Sequence, residues 1–415
     1  MNRPTTDLDI SSPQIYMDEE ALGENFRKLR QDNPVVWVEQ NGYRPFWAIT
    51  KNADIREISR RNDIFINAPR LTLIPEDIED NIIKTQGSRT AMTRHLLDMD
   101  DPEHRAYRNI TQKWFNGPAL RQLEDRMDSL ATEYVDRLCA IGGECDFSEE
   151  IASEYPLTMI TSILGLPETD NGLVKRLTQE IFGAQDPEVQ RSGDFGLAAV
   201  FEFFGYLTKI MEERRERPRD DLFSVIVNAK INDAPMPDTD ALSYAMLVAT
   251  AGHDTTSSTL SGGMHAFANN PDQLELLNSD PLLAASAAQE SFRWATPVKH
   301  FLRTATEDFE LRGQMIKAGE AVCLMYYSAN RDEDEFESPD HFDITRKPNR
   351  HLAFGFGVHH CLGRVLSEME VVAFFSKLSG RLNRLEMSGT PQALLTNHTG
   401  GFKSLPISYG MAPAE

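Results

Sequence analysis

Residues 354–363 read FGFGVHHCLG, and the single cysteine in this glycine-rich turn decides the fold. Gly355 and Gly357 precede Cys361, and Gly363 follows it. Beyond Gly363 the stretch RVLSEMEVVAFFSKLSGRL carries apolar residues at helical spacing. Cys361 therefore sits at a helix N-terminus, where unpaired N–H groups and the positive dipole end lower a thiol's pKa and favour thiolate. Glycines at 355, 357 and 363 let the backbone approach something flat and closely held. No second cysteine or paired histidine stands at ligand spacing, so zinc does not fit; one thiolate is the arrangement by which haem iron is held from one side. A free buried cysteine in a turn is the other reading open at this point.

Working outward, TDALSYAMLVATAGHDTTSSTLSGGMHAFANNPDQ predicts a long helix, capped near Asp238 and stopped by Asn269, Asn270 and Pro271. At 1.5 Å per residue, roughly 30 residues span about 45 Å, the width of a domain. Its first half is apolar around most of its circumference, so it is expected to run through the core. In its middle, Gly252 stands next to His253, Asp254, Thr255 and Thr256, poor choices for a buried helix centre. One reading is a kink, with threonines bonding back to carbonyls. The other is geometric: Ala251 and Thr255 share a stripe with Gly252 beside them, which makes a shallow notch with a hydroxyl at its rim. Asp254 points about 100° away from that stripe, toward a source of protons. In AAQESFRWATP, Glu290 and Arg293 are three apart on an apolar helix; by spacing alone this is a surface ion pair worth a few tenths of a kcal/mol.

The rest of the chain reads as mainly α with a minor β part. PVVWVEQNGYRPFWAIT has two β-rich runs around Asn41-Gly42, a hairpin signal, with Pro45 marking an edge strand. Helical periodicity follows in PALRQLEDRMDSLATEYVDRLCAIGG, in YPLTMITSILGLPETD up to Gly165 and Pro167, and in LAAVFEFFGYLTKIMEERRERP. Strands return in DFELRGQMIKAGEAVCLMYYSANRD and KSLPISYG. No repeat or linker-like segment divides the chain, so residues 1–415 read as one domain.

Composition narrows the function. The 42 basic and 64 acidic residues give a net charge of −22, which argues against wide contact with nucleic acid or an anionic membrane. The four cysteines are irregularly spaced with no CxxC, and neither a signal peptide nor a membrane-spanning run is legible. A reducing cytoplasm is the expected setting.

Taken together, these stretches resemble the cytochrome P-450 family. FGFGVHHCLG is similar to its haem loop FGxGxHxCxG at each fixed position: Phe354, Gly355, Gly357, His359, Cys361 and Gly363. AGHDTT resembles the family's oxygen-binding motif, and Glu290-xx-Arg293 its ExxR motif, which the resemblance completes with Arg346 as a buried structural triad. DPEHRAYR resembles the helix that carries haem-propionate ligands. Between residues 251 and 370 the wording resembles in particular soluble bacterial members that act on a terpenoid alcohol.

The resemblance implies the single-domain P-450 fold, with haem b (iron protoporphyrin IX) between the central helix and the cysteine loop. It makes Cys361 the iron ligand, with helix-end amides on its sulfur and Phe354 covering that face. Arg108, Arg303 and His359 match propionate partners, assisted by His104. O2 is placed over Ala251 and Gly252, with Thr255 holding water or oxygen by hydrogen bond and Asp254 relaying protons. His253 is either a spacer or a part of proton delivery, and no role is assigned to His360.

The implied activity is a monooxygenase inserting one oxygen atom of O2 into a C–H bond of a small apolar substrate. The chain has no flavin, nucleotide or iron–sulfur fingerprint. A [2Fe–2S] ferredoxin with its NAD(P)H-dependent reductase is therefore implied, docking near Arg105, Lys113, Arg121 and Arg364. Pocket walls are expected in the loop of residues 67–99, at Leu247 and Thr250, from Val298 to Phe301, and around Phe402 between Gly401 and Lys403. Lys299 and Lys403 either admit a carboxylate or point away. Terpenoid alcohols come first as substrates and small aromatics second. A haem-thiolate sensor, or a peroxide-driven enzyme, explains Cys361 but leaves Asp254 beside Thr255 without a purpose.

Overall fold

The computed structural model describes residues 3–40, 42–87, 93–115, 117–190 and 195–412. Its axis is one unbroken helix, Asp238–Asn269, of 32 residues. Gly252 does not break it. The hydroxyls of Thr250, Thr255, Ser258 and Thr259 each donate to the carbonyl four residues earlier, so these four side chains are satisfied by the helix itself.

Around this axis pack the helices Glu154–Leu164, Leu197–Glu216, Ala284–Ala295 and Arg364–Leu378. Small residues set how close they come. A Cβ at Gly262 would stand 2.8 Å from Ala295 Cβ, and one at Gly263 2.7 Å from Ser291 Oγ, so neither position tolerates a side chain without displacing a neighbour. Glu154–Leu164 ends where the sequence predicts, with Gly165 in the left-handed conformation at φ +69°.

The β part is a flank. Five strands run in the order Val35–Val38, Phe46–Ile49, Ala321–Met325, His300–Ala305 and Phe65–Ile66. Phe46–Ile49 is an interior strand, antiparallel to Val35–Val38 and parallel to Ala321–Met325, and not the edge that Pro45 suggested. Pro45 lies just before the strand, so its missing N–H costs no ladder bond. A second sheet joins Leu382–Met387, Pro406–Met411 and Glu144–Asp146.

The segment 67–99 is more than a loop: it contains the helix Glu76–Gln86 and a short 3-10 turn, Leu96–Asp98. Asn41 and residues 88–92 of the two predicted loops lie outside the described residues. Among the described residues no helix is long and apolar enough to cross a membrane.

Candidate active site

The cysteine loop is folded by its own backbone. Cys361 N–H donates to Phe354 C=O at 2.9 Å and His360 N–H to Gly357 C=O at 3.1 Å. Gly357 is obligatory on two counts: its φ is +79°, and a Cβ there would stand 2.2 Å from the Ser59 carbonyl oxygen. Phe354 stacks near Phe292, with ring centroids 4.6 Å apart. The Cys361 sulfur opens on an internal cavity of about 420 Å³ and accepts the backbone N–H groups of Gly363 and Arg364.

The thiol's pKa differs from expectation. Burial raises it, and this outweighs the Gly363 amide and the Arg108 guanidinium, which lower it. The helix-end amides are in place on the sulfur.

One end of the cavity is cationic. His104, Arg108, Arg303 and His359 all line it. The His104 and His359 ring centroids are 4.0 Å apart, and burial with neighbouring arginines lowers both pKa values, so these rings are neutral hydrogen-bonding groups. Arg108 donates to His360 C=O at 2.7 Å and Arg303 to Leu302 C=O at 2.7 Å; neither forms an ion pair with a carboxylate among the described residues. His104 Nε2 is buried with no partner. Two guanidiniums without a carboxylate partner and an orphaned ring nitrogen beside a thiol fit a flat, dianionic, iron-bearing macrocycle.

The central helix forms the facing wall. Ala251, Gly252 and Thr255 line the cavity there, and the Thr255 hydroxyl donates to Ala251 C=O at 2.8 Å. The missing side chain of Gly252, however, does not leave an open notch. A Cβ there would stand 2.7 Å from Ile160 Cγ1, so the glycine admits a neighbouring helix.

Asp254 lies off the lining, and burial raises its carboxyl to about 7 against a small lowering by Lys175. That lysine's ammonium is held by Glu149 Oε1 and Glu154 Oε1, each at 2.8 Å. His253 is fully buried, and its Nε2 lies 2.8 Å from Ser153 C=O.

Behind the cysteine loop, Glu290 and Arg293 are completely buried and Arg346 nearly so, which replaces the surface-pair reading. Arg293 grips Glu290 through two bonds of 2.6 and 2.8 Å; Arg346 Nε reaches the same carboxylate at 3.2 Å, and Asn349 Nδ2 at 2.9 Å. Every lone pair of Glu290 is engaged, which is what permits a buried charge.

Of the expected substrate wall, Leu247, Thr250, Val298 and Phe301 line the cavity. Phe402 does not: its ring packs on His265, centroids 4.9 Å apart. Lys299 donates to Ala295 C=O at 2.7 Å, and Lys403 pairs with Asp186 and Glu188, so both lysines point away.

Sequence reasoning missed Ile160, Phe182, Gln185, Val200 and Tyr326 in the lining, because tertiary packing alone brings them there. It also missed Glu370, whose Oε1 is buried without a partner and whose pKa burial raises well above the usual value. An acid inside the apolar run EVVAFF was the available signal. Thr256 Oγ1 and Ser367 Oγ meet at 2.9 Å and tie the central helix to the cysteine helix.

The chain is 39% identical over 411 residues to a curated protein named cytochrome P450-terp from a Pseudomonas species, covering 96% of each chain. The chain belongs to the cytochrome P450 family. The family model described as Cytochrome P450 matches residues 196–280 and 273–393. A steroid C26-monooxygenase from Mycolicibacterium smegmatis is 35% identical, covering 97% of this chain and 94% of its own. Among solved structures, CYP108D1 from Novosphingobium aromaticivorans superposes with a TM-score of 0.90 at 36% identity, covering 99% of this chain and 100% of that one. The family binds haem, and the chain is an oxygen-incorporating oxidoreductase.

Proposed function

We propose that this P450 hydroxylates a C–H bond of a small, neutral terpenoid alcohol, holding haem b through Cys361 and taking electrons from a [2Fe–2S] ferredoxin. The observation that carries the substrate reading is the charge of the wall: among the described lining residues the only arginines or lysines are Arg108 and Arg303, both at the propionate end. A carboxylate substrate would find no counter-ion, whereas an apolar guest is held by Leu71, Leu73, Leu247, Val298 and Phe301. The name of the P450-terp relative points the same way. The steroid C26 relative makes a larger neutral substrate the competitor.

When bound, haem supplies the redox chemistry that activates O2. Cys361 would ligate the iron, while the Gly363 and Arg364 amides hold its sulfur in place. Arg108, Arg303, His104 and His359 would take the propionates. Thr255 spends its proton on Ala251 C=O, which leaves its oxygen to accept a hydrogen bond from water in the cavity. Asp254 is the proton source one residue away, and the Lys175–Glu149–Glu154 cluster connects that side of the helix to solvent. The ferredoxin would dock over the cysteine loop, with the exposed Arg105, Lys113 and Arg121 supplying its basic contacts.

The test is the reduced, carbon-monoxide-treated spectrum, followed by titration with α-terpineol, a sterol ketone and a benzoate. A strongly red-shifted Soret band with a spin-state change for the terpenoid alcohol alone is expected. A response to the benzoate or the sterol instead would overturn the substrate assignment, and absence of the band would overturn the haem-thiolate reading.

A further inference from the structure

The roof of the cavity is a seam between two segments far apart in sequence. Phe182, Ala184 and Gln185 line it from one side, directly after the helix Asn171–Phe182; Thr396, Asn397 and Thr399 line it from the other.

The joint between them is polar. Lys403 Nζ lies 2.8 Å from Asp186 Oδ2 and 2.6 Å from Glu188 Oε2. Asp186 Oδ2 also accepts Leu395 N–H at 3.1 Å, and Gln185 Oε1 accepts Asn397 N–H at 3.1 Å. Asp186 is fixed by its own turn: its Oδ1 accepts Glu188 N–H at 3.0 Å, and its N–H donates to Gly183 C=O at 2.9 Å.

The two arms of the lysine differ in kind. The Asp186 side chain is 2% exposed and the Glu188 side chain 75%, so one pair is desolvated and the other stands in salt-screened water. None of these three charges faces the cavity, so none serves the substrate directly.

We infer that Lys403, Asp186 and Glu188 form an ionic latch that holds residues 183–190 onto residues 392–404, and that a ligand reaches the cavity through this seam when the latch opens. The inference rests on the cavity being the substrate chamber. A latch that touches no ligand changes the barrier to passage and not the difference between bound and free states. Its removal therefore speeds arrival and departure together and leaves affinity in place.

Three variants of the haem-loaded enzyme test this: Lys403→Gln, Glu188→Gln on the exposed arm, and, as a control, Lys377→Gln, which removes an exposed pair with Asp128 away from the seam. Hydrogen–deuterium exchange is read on peptides covering 183–190 and 392–404. Stopped-flow spectroscopy follows the binding of 4-phenylimidazole.

In Lys403→Gln the amides of Leu395 and Asn397 should exchange faster, with on- and off-rates both rising about tenfold and Kd held within about twofold. Glu188→Gln should give a smaller change of the same sign, reproduced in the unmodified enzyme by raising salt. Lys377→Gln should change neither. Unchanged exchange in Lys403→Gln overturns the latch, whatever the fate of the haem reading, because exchange needs no haem. Faster exchange with unchanged binding rates overturns the seam as the route of passage.

Discussion

His253 Nδ1 lies 3.4 Å from Asp254 Oδ1, while His253 Nε2 is committed to the Ser153 carbonyl at 2.8 Å. A carbonyl only accepts, so Nε2 carries the proton, and burial keeps the ring neutral by lowering its pKa to about 4. Nδ1 is then an acceptor left without a hydrogen-bond partner, and Lys175, the nearby cation, is taken by two glutamates. Burial favours a protonated Asp254 carboxyl, raising it to about 7 against the lowering by Lys175.

A protonated donor is lost as pH rises through its pKa, so turnover should decline above pH of about 7. Asp254→Asn should slow product formation by roughly 100-fold and flatten that decline. Product rates from pH 6 to 9, with a solvent isotope effect at each end, check this; a variant that keeps the descending limb would remove Asp254 from the proton path.

Thr255→Ala should leave NAD(P)H consumption near normal while product falls and hydrogen peroxide rises. The hydroxyl at the cavity wall is lost, and its own bond to Ala251 C=O is not needed to keep the helix intact. The ratio of peroxide to product is the measurement, and full coupling in the variant would refute the assignment.

Gly252→Ala separates two roles of one glycine. Alanine favours a helix over glycine by about 1 kcal/mol, but its Cβ would stand 2.7 Å from Ile160 Cγ1 and force that side chain to shift. Net destabilisation of about 1–2 kcal/mol is expected. In an Ile160→Ala background the sign should reverse. Denaturant unfolding of the four proteins closes the cycle.

Glu370→Gln should stabilise the protein at neutral pH. The folded-state pKa of Glu370 is raised, so its favourable contribution is complete below an unfolded value of about 4.3 and is lost as pH rises from there toward the folded pKa. Over that window the wild type should lose roughly 1.4 kcal/mol per pH unit relative to the variant. Unfolding curves at pH 4.5 and 8 measure it; equal stability at both would show the carboxylate to be better solvated than its surroundings indicate.

Arg293→Lys should cost about 3–5 kcal/mol, because an ammonium cannot make the two-point grip and leaves a buried carboxylate half paired. Thermal unfolding together with haem retention reads it.

Much of this site was legible because its parts are local. The cysteine loop, the acid–alcohol pair and the Glu290–Arg293 pair each lie within a few residues, though spacing alone put the last on the surface and only the family resemblance buried it. What sequence could not supply came from contacts between distant segments. Gly252 read as a notch because Ile160, on another helix, is invisible from residue 252. Phe402 was placed in the wall by the family resemblance, yet its ring turns to His265. The thiol shift at Cys361 was assigned the sign of its helix end, because burial is a property of the assembled cavity. Pro45 marked a strand correctly and its place in the sheet wrongly, since the neighbouring strand begins at Ala321.

The Thr256–Ser367 bond has a consequence for redesign. It pins the central helix to the helix that follows the cysteine loop, and Gly262 and Gly263 hold the central helix tightly against its other neighbours. Selectivity is therefore best rewritten elsewhere, in the walls contributed by Leu71, Leu73, Phe182 and Val200, where side-chain volume can be traded without altering the spacing that the cofactor requires. A library confined to those positions should keep its spectrum while changing its guests.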